Sequence, residues 1–192
     1  MIRRNGISNT ATIGTVTIGA STEHIGQIGG TTTKSNNNFT RLSNTTPYIA
    51  NQVVSSRSAN TTALGIAGPR SAGGTGYITS IKLVTNNVLT TGVIFRVHFG
   101  TTDASFSNVQ DGTALALNYN KSSNNSYLGY IDLPATTTQG GNGIAYAQDI
   151  TQRFPFYTES NELGIYYIIE TLTAFTPISD QEFSLQLGLE QN

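Results

Sequence analysis

The sequence predicts an all-β fold, an antiparallel β-sandwich of jelly-roll type with an extended N-terminal arm. Three observations support this: apolar and polar residues alternate, turn-forming clusters separate the apolar runs, and isoleucine-glycine pairs precede the first run. The 192 residues suffice for one domain with its own core and an additional segment. We therefore expect an arm at residues 1–30, a polar linker at 31–45 and the β-sandwich domain at 46–192.

The arm ends in HIGQIGG, residues 24–30, and carries the dipeptide Ile-Gly at positions 13, 18, 25 and 28. Glycine loses more backbone freedom on ordering than any other residue, so these pairs disfavour a helix or strand that the arm forms by itself. A tail that is only solvated would not retain these isoleucines. We therefore expect the arm to become ordered against another protein surface.

The arm residues expected to contact this surface are apolar or glycine: Ile13, Val16, Ile18, Ile25, Gly26, Ile28, Gly29 and Gly30. Full burial of an isoleucine contributes roughly 1.5–3 kcal/mol, whereas fixing the backbone of one residue costs roughly 1–2 kcal/mol. Side-chain burial alone therefore cannot order the arm, and main-chain pairing with a partner strand has to contribute. Several copies acting together would strengthen the attachment.

Residues 31–44 read TTTKSNNNFTRLSN, which is nearly all polar and includes three consecutive asparagines. This composition is typical of loops and predicts a flexible linker between the arm and the body.

The strands of the body are predicted from their alternation. In VIFRVHF, residues 93–99, one face carries four apolar side chains and the other carries Ile94, Arg96 and His98. FSLQLGLEQ, residues 183–191, repeats the pattern. LGIYYIIETL, residues 163–172, is apolar on both faces and predicts a central strand that is covered on each side. Further strands are expected at 48–55, 62–67, 76–84, 113–119, 126–133 and 144–150, and only residues 171–180 have room for a helical turn.

The composition restricts the function classes. Only 11% of the residues are charged and the formal net charge is −1, so no electric field exists to attract a polyanion, and nucleic acid is not expected as a partner. A polar surface with few charges limits repulsion between neighbouring copies, as in shells and fibres, and it also suits some lectin-like domains. The absence of cysteine excludes a disulfide scaffold, a cysteine zinc site and a thiol enzyme.

The sequence offers no membrane segment. The opening MIRRNGISNT has a basic pair with no apolar stretch behind it, so no secretory signal is expected. The longest apolar run, LGIYYII at residues 163–169, is too short to span a bilayer. We expect no membrane partner.

Catalytic motifs are missing, and we expect no enzyme activity and no cofactor. No GxSxG elbow or phosphate-binding loop occurs, and of the two histidines His24 lies in the arm while His98 is expected at a surface or between strands. Glu170 is the acid whose burial in a strand most resembles that of a glycosidase carboxylate, with Asp132 and Asp149 as candidate partners. An acid that meets a neighbouring Arg, Tyr or backbone amide is the favoured interpretation of Glu170.

Metal and sugar binding have weak signals. Asp103 and Asp111 lack the alternating acids of a calcium loop, and we expect no metal site. Sugar binding uses aromatic platforms, but tryptophan is absent and many tyrosines fall inside strands, where packing is expected of Tyr130, Tyr146, Tyr166 and Tyr167. Tyr48, Tyr119, Tyr127 and Tyr157 lie nearer to strand ends.

The order of the strand phrases resembles a family of virion proteins of tailed phages. The resemblance rests on TTPYIANQVVSS, YITSIKLV, VIFRVHFG, YLGYIDL and IIETLTAFTPISDQEFSLQLGLEQN, with HIGQIGG before the domain, and it extends from about residue 24 to the end. The resemblance implies a structural role as a head decoration (cement) protein, a head fibre or a tail-associated component. This chain has a short arm, whereas longer members carry additional N-terminal segments.

We therefore expect a structural component of the phage particle, located in the virion, whose arm packs on the major capsid protein or other virion proteins. A homo-oligomer is expected, with a trimer favoured. The alternative is a receptor- or glycan-binding module of a phage head or tail fibre, because the same sandwich can present its loops to a host surface.

Overall fold

The structure, a computed structural model, describes residues 31–59, 62–69, 71–87, 92–117, 126–136, 143–147 and 153–191. Within these ranges the fold is all-β and no α-helix occurs. The strands are β1 Thr31–Thr40, β2 Gln52–Val54, β3 Leu64–Ala67, β4 Thr75–Thr85, β5 Ile94–Gly100, β6 Phe106–Asn108, β7 Ala116–Leu117, β8 Tyr127–Thr136, β9 Gly143–Ala147, β10 Phe154–Tyr157, β11 Gly164–Thr171 and β12 Glu182–Gln191, with a 3-10 turn at Asp103–Ser105.

The strands form one long antiparallel path in the order β1-β12-β4-β9-β8-β5-β11-β2. β10 pairs with the first residues of β4, β3 pairs with the first half of β11, and β6 and β7 form a separate hairpin. β8 joins the two halves of the path, because it pairs with β5 along most of its length and, among the described residues, with β9 only at Ala135 and Thr136. The halves β1-β12-β4-β9 and β8-β5-β11-β2 are therefore joined by hydrogen bonds at one short stretch of β8.

Both halves contribute alternate side chains to one core. The predicted inward faces of β5 and β12 are confirmed, since the apolar residues of each pattern are buried there and the intervening ones are not part of the core. The largest side chains that are fully buried include Tyr48, Phe95, Phe99, Tyr167 and Phe183. Burial of these strand faces, at roughly 25 cal/mol per Å² of apolar surface, is the main stabilising contribution to the fold.

A second, smaller apolar cluster lies on the other side of β11. It joins Ile168 of β11 and Val53 of β2 to Phe106 and Val109 of the β6-β7 region. Ile165, Tyr167 and Ile169 of the same strand belong to the main core. β11 is therefore covered on both faces, as its doubly apolar sequence predicts.

The predicted flexible linker over residues 31–45 is wrong for its first ten residues. Residues 31–40 form β1, which pairs with β12 without a break in register, from Thr31 opposite Gln191 to Thr40 opposite Glu182. A polar strand is stable here because β12 supplies a complete hydrogen-bonding edge, so the backbone is satisfied without an apolar side chain at every second position.

Other strands differ from their predicted bounds. The strand expected at 48–55 is reduced to β2, since Asn51 adopts a positive φ of 67° and Tyr48 forms only an isolated bridge with Phe175. The strand expected at 113–119 is reduced to β7, and residues 118 and 119 lie outside the described residues. β10 has the sequence FPFY and was not predicted, because proline is normally confined to edge strands, which is where β10 lies beside β4. Residues 171–180 contain no helical turn.

Candidate functional site

The predicted arm site lies outside the described residues. This applies to all of its members: Ile13, Val16, Ile18, Ile25, Gly26, Ile28, Gly29 and Gly30. The structure does describe the point at which the arm joins the body, since Thr31 directly follows Gly30 and begins β1.

β1 is the first strand of the path and pairs only with β12 among the described strands. The N–H of Arg41 donates to the carbonyl oxygen of Gln181 at 2.9 Å, in register with the β1-β12 ladder. Because backbone groups of an antiparallel strand point alternately to each side, odd-numbered residues of β1 face β12 and even-numbered residues face away. We call the outward-facing backbone groups of Thr32, Lys34, Asn36, Asn38 and Thr40 the attachment edge.

The inward side chains of β1 hold this strand to the body. The Tyr167 hydroxyl donates to Oδ1 of Asn37 at 2.9 Å, and Nε2 of Gln191 donates to Oγ1 of Thr33 at 2.9 Å. The ring of Phe39 stacks on that of Phe183, with centroids 5.5 Å apart and planes inclined by 15°. The strand that follows the arm is therefore fixed by specific side-chain contacts as well as by its ladder.

A buried polar cluster locks the chain immediately after β1. Nη2 of Arg41 lies 3.0 Å from Oδ2 of Asp111, and both side chains are almost completely buried. The Tyr48 hydroxyl donates to Asp111 and accepts from Nε of Arg41, and the backbone N–H of Ser55 donates to Asp111 at 3.0 Å. Burial, followed by the charge of Asp111, raises the pKa of Tyr48 far above its usual value, so this hydroxyl stays protonated.

The outer face of β1, β12 and β4 is polar and combines amide and hydroxyl side chains with Lys34, Lys82, Glu182 and Glu190. Cross-strand register places Ser184 between Asn38 and Val84, and Gln186 between Asn36 and Lys82. Small amide and hydroxyl side chains can approach another surface without the desolvation penalty of an ionised group. This face is chemically suited to close contact with another protein.

Glu170, the acid weighed as a glycosidase carboxylate, forms a buried pair with His98, which was expected at a surface or between strands. Nε2 of His98 lies 3.0 Å from Oε2 of Glu170, and Nδ1 lies 2.9 Å from the hydroxyl of Tyr127. Burial lowers the pKa of His98 despite the neighbouring carboxylate, so the imidazole is neutral at pH 7. Because a carboxylate only accepts, Nε2–H donates to Glu170 and Nδ1 accepts from Tyr127. The partner of Glu170 is therefore a histidine rather than the Arg, Tyr or amide expected, and His98 has an inter-strand role.

The remaining acids are also engaged in structure. Asp132 forms a bidentate ion pair with Arg96, in which Nε lies 2.7 Å from Oδ1 and Nη2 lies 2.9 Å from Oδ2. The guanidinium lies 3.8 Å from the centroid of the Tyr130 ring. Asp103 accepts from the backbone N–H of Ala63, and Asp149 lies outside the described residues. Within the described ranges no three His, Asp or Glu side chains are grouped so as to hold a metal ion. No helix of the described chain is long and apolar enough to cross a membrane.

A surface groove with a volume of about 520 Å³ lies between the starts of β4 and β8 and the strand β10. We call it the tyrosine groove, because three of its lining residues are tyrosines: it is lined by Thr75, Gly76, Tyr77, Tyr127, Leu128, Pro155, Phe156 and Tyr157. Of the tyrosines that the sequence places near strand ends, the groove contains Tyr127 and Tyr157. Tyr48 belongs to the buried cluster, and Tyr119 lies outside the described residues.

Sequence reasoning missed Arg41 and Tyr77. Arg41 lies 70 positions from its partner Asp111, so no local pattern connects them. Tyr77 is brought opposite Pro155 by the β4-β10 pairing, and β10 itself was not predicted. A scan against protein-family models and a search of curated proteins both find no match for this chain.

Proposed function

We propose that the protein is a structural component of a bacteriophage particle that decorates or cements the capsid through residues 1–30. The observation that carries the proposal is the position of β1. The arm joins the body at the first residue of an outermost strand, and that strand is held by its ladder with β12 and by the Arg41 cluster that follows it. An arm that is anchored in this way would attach the whole body to the surface that the arm binds.

The strand order supports a jelly-roll body. With β2 and β3 counted as one interrupted strand, the two halves run β1-β12-β4-β9 and β2/β3-β11-β5-β8. Each half alternates strands from the beginning and the end of the chain, which is the order produced by two Greek keys wound together. Viral capsid proteins and lectins commonly use this architecture, so the fold suits the proposed role but does not by itself select it.

The surface chemistry supports assembly with other proteins. The formal net charge is −1 and charged residues are sparse, so neighbouring copies repel one another weakly. The partners that we propose are the major capsid protein or other virion proteins, with the protein as a homo-oligomer, preferably a trimer. A closed ring of three copies would bring three arms to the particle surface and multiply a weak single contact.

The arm needs main-chain hydrogen bonds in order to become ordered, and the attachment edge can supply them. Side-chain burial of the arm's isoleucines leaves a deficit that main-chain hydrogen bonds must cover, as estimated from its sequence. The attachment edge offers such hydrogen bonds from the backbone of five residues, Thr32, Lys34, Asn36, Asn38 and Thr40. Strand addition of an arm to the edge of a neighbouring subunit is the mode of binding that this combination favours.

The test is the retention of arm variants on assembled particles. We expect a chain in which Ile13, Ile18, Ile25 and Ile28 are all replaced by serine to be lost from particles, as a deletion of residues 2–30 would be. A matched control replaces Thr10, Thr15, Ser21 and Thr22 with alanine and should keep the full copy number, measured by quantitative mass spectrometry. Full retention of the serine variant would contradict attachment through the arm. Loss from particles with undiminished binding to host cells would instead favour a receptor-binding module.

A further inference from the structure

The tyrosine groove arises where the two halves of the sheet separate. Among the described residues, β8 pairs with β9 at its last residues alone, Ala135 and Thr136, and β9 pairs with β4 from residue 81 onward. Toward the other end, β4 is paired with β10 instead, and no pairing between β10 and β8 occurs in the described part of the chain. The starts of β8 and β4 are therefore not bridged by any strand that the structure describes.

A bulge in β8 shapes the wall of the groove that this strand forms. Phe99 pairs with Gly129 and Gly100 pairs with Tyr127, so Leu128 is an additional residue in β8. Gly129 has a φ of 125°, a conformation that side-chain-bearing residues rarely adopt. Bulges turn a strand and redirect its side chains, and this one brings Tyr127 and Leu128 to the groove.

Two of the three groove tyrosines, Tyr127 and Tyr77, are held by polar or charged side chains outside the groove. The hydroxyl of Tyr127 is bound by His98, which is fixed in turn by Glu170. Side-chain order that exists before binding reduces the entropy lost on binding, and an aromatic wall fixed in this way is preorganised for a ligand. The buried His98–Glu170 pair thus acts as a positioning pair for the groove.

Tyr77, in the wall of the groove that β4 forms, is held by Arg153 from the solvent side. The guanidinium of Arg153 lies 5.7 Å from the ring centroid of Tyr77, and its Nη1 lies 3.0 Å from Oε1 of Glu190. Arg153 and Glu190 neutralise each other, and none of the described residues that line the groove is charged. The described lining therefore offers no counter-charge to an anionic or a cationic ligand.

We infer that the tyrosine groove binds an uncharged saccharide. This binding site does not depend on the proposed attachment of the arm. Sugars combine apolar C–H faces, which stack on aromatic rings, with hydroxyl groups, which need hydrogen-bonding partners. Tyr77, Tyr157 and Pro155 offer flat apolar surfaces, and Thr75 with the backbone of β10 offers polar atoms. The volume of about 520 Å³ lies within the range of small-molecule sites.

The test uses the full chain and isothermal titration with uncharged oligosaccharides: maltotriose, cellotriose, chitotriose and lactose. At least one of them is expected to bind with a Kd in the millimolar range or tighter. The substitutions Tyr77→Ala and Tyr157→Ala should each weaken that binding at least tenfold. The matched control is Tyr130→Ala, since Tyr130 is about half exposed but lies outside the groove. Thermal melting of each variant shows whether the body remains folded.

Three results would overturn the inference. The first is that none of the four oligosaccharides binds at millimolar concentration. The second is that one binds but the Tyr77 and Tyr157 variants, while folded, retain its affinity. The third is that sialyllactose or a proline-rich peptide binds in the groove more tightly than any uncharged sugar, since an acidic sugar or a polyproline segment would then be the ligand.

Discussion

The imidazole of His98 and the carboxylate of Glu170 lie side by side on adjacent strands, with Nε2 and Oε2 3.0 Å apart and both side chains buried. The pair resembles catalytic machinery in composition. Nδ1 is bound to the Tyr127 hydroxyl, and burial lowers the pKa of the ring so that it stays neutral at pH 7. The pair connects β5 to β11 and orients an aromatic ring at the surface.

The stability of the fold should depend on pH through His98. Its pKa in the folded protein is lower than the ordinary 6.5, so below pH 6.5 the unfolded chain binds a proton that the folded chain does not. The free energy of unfolding should therefore fall as the pH decreases through this value, by at most about 1.4 kcal/mol per pH unit, and level off below the folded pKa. Urea titrations between about pH 7.5 and 5.5, above the range in which carboxyl groups titrate, measure this.

His98→Gln should remove this dependence, because glutamine does not titrate. His24→Gln is the matched control and should keep it, since this substitution leaves the His98–Glu170 pair intact. An unchanged pH dependence in His98→Gln would show that another group is responsible.

Removing Asp111 should strongly destabilise the body. Asp111→Ala leaves the buried guanidinium of Arg41 without its counter-charge, and breaking a buried pair in this way costs about 3–5 kcal/mol. Asp132→Ala, in the partly exposed pair with Arg96, should cost only about 0–1 kcal/mol. Equal losses for the two variants in urea unfolding would contradict the structural role assigned to the Arg41 cluster.

A methyl group at Gly76 has no room. A Cβ there would lie 2.3 Å from the carbonyl oxygen of Glu190 and 2.8 Å from the ring of Phe156, whereas a Cβ at Gly65 would meet no atom within 4 Å. Gly76→Ala should destabilise the protein by about 1–3 kcal/mol, and Gly65→Ala should change its stability by about 0.5 kcal/mol or less. Thermal unfolding compares them, and an unaffected Gly76 variant would show that β4 and β12 are packed less closely than described.

Proline substitutions test the direction of the attachment edge. The N–H of Asn36 faces away from β12, so Asn36→Pro removes no ladder hydrogen bond, whereas Asn37→Pro removes one that faces β12. We expect Asn37→Pro to be more destabilising than Asn36→Pro by about 1 kcal/mol or more. Asn37→Ala separates out the hydrogen bond from Tyr167. The reverse order of stability would mean that the edge is oriented the other way.

The sequence predicts best those strands whose own pattern of apolar and polar side chains determines which of their faces are buried. β5 and β12 alternate strictly and have one buried face each, and β11 is apolar on both sides and lies between two clusters. β1 could not be recognised, because its pairing depends on the complete edge of β12 more than 140 residues away along the chain. β10 was hidden by Pro155, which only an edge position accommodates.

The sites follow the same rule. The position of Glu170 in an apolar strand predicts that this acid is buried. Its partner could not be predicted, since His98 lies 72 positions away. The tyrosine groove is assembled from three separate strand ends and a bulge at Leu128, none of which leaves a local pattern. Pairwise geometry across strands, rather than residue type, decides where these side chains meet.

The central claim is that residues 1–30 bind another polypeptide of the particle while β1 holds them to the body. Cryo-electron microscopy of the assembled particle tests it most directly. We predict density for the arm that continues from Thr31 toward the N-terminus and runs onto a neighbouring subunit or the major capsid protein, with Ile18, Ile25 and Ile28 buried in the contact. A particle in which the body is bound but the arm touches no other polypeptide would contradict the account.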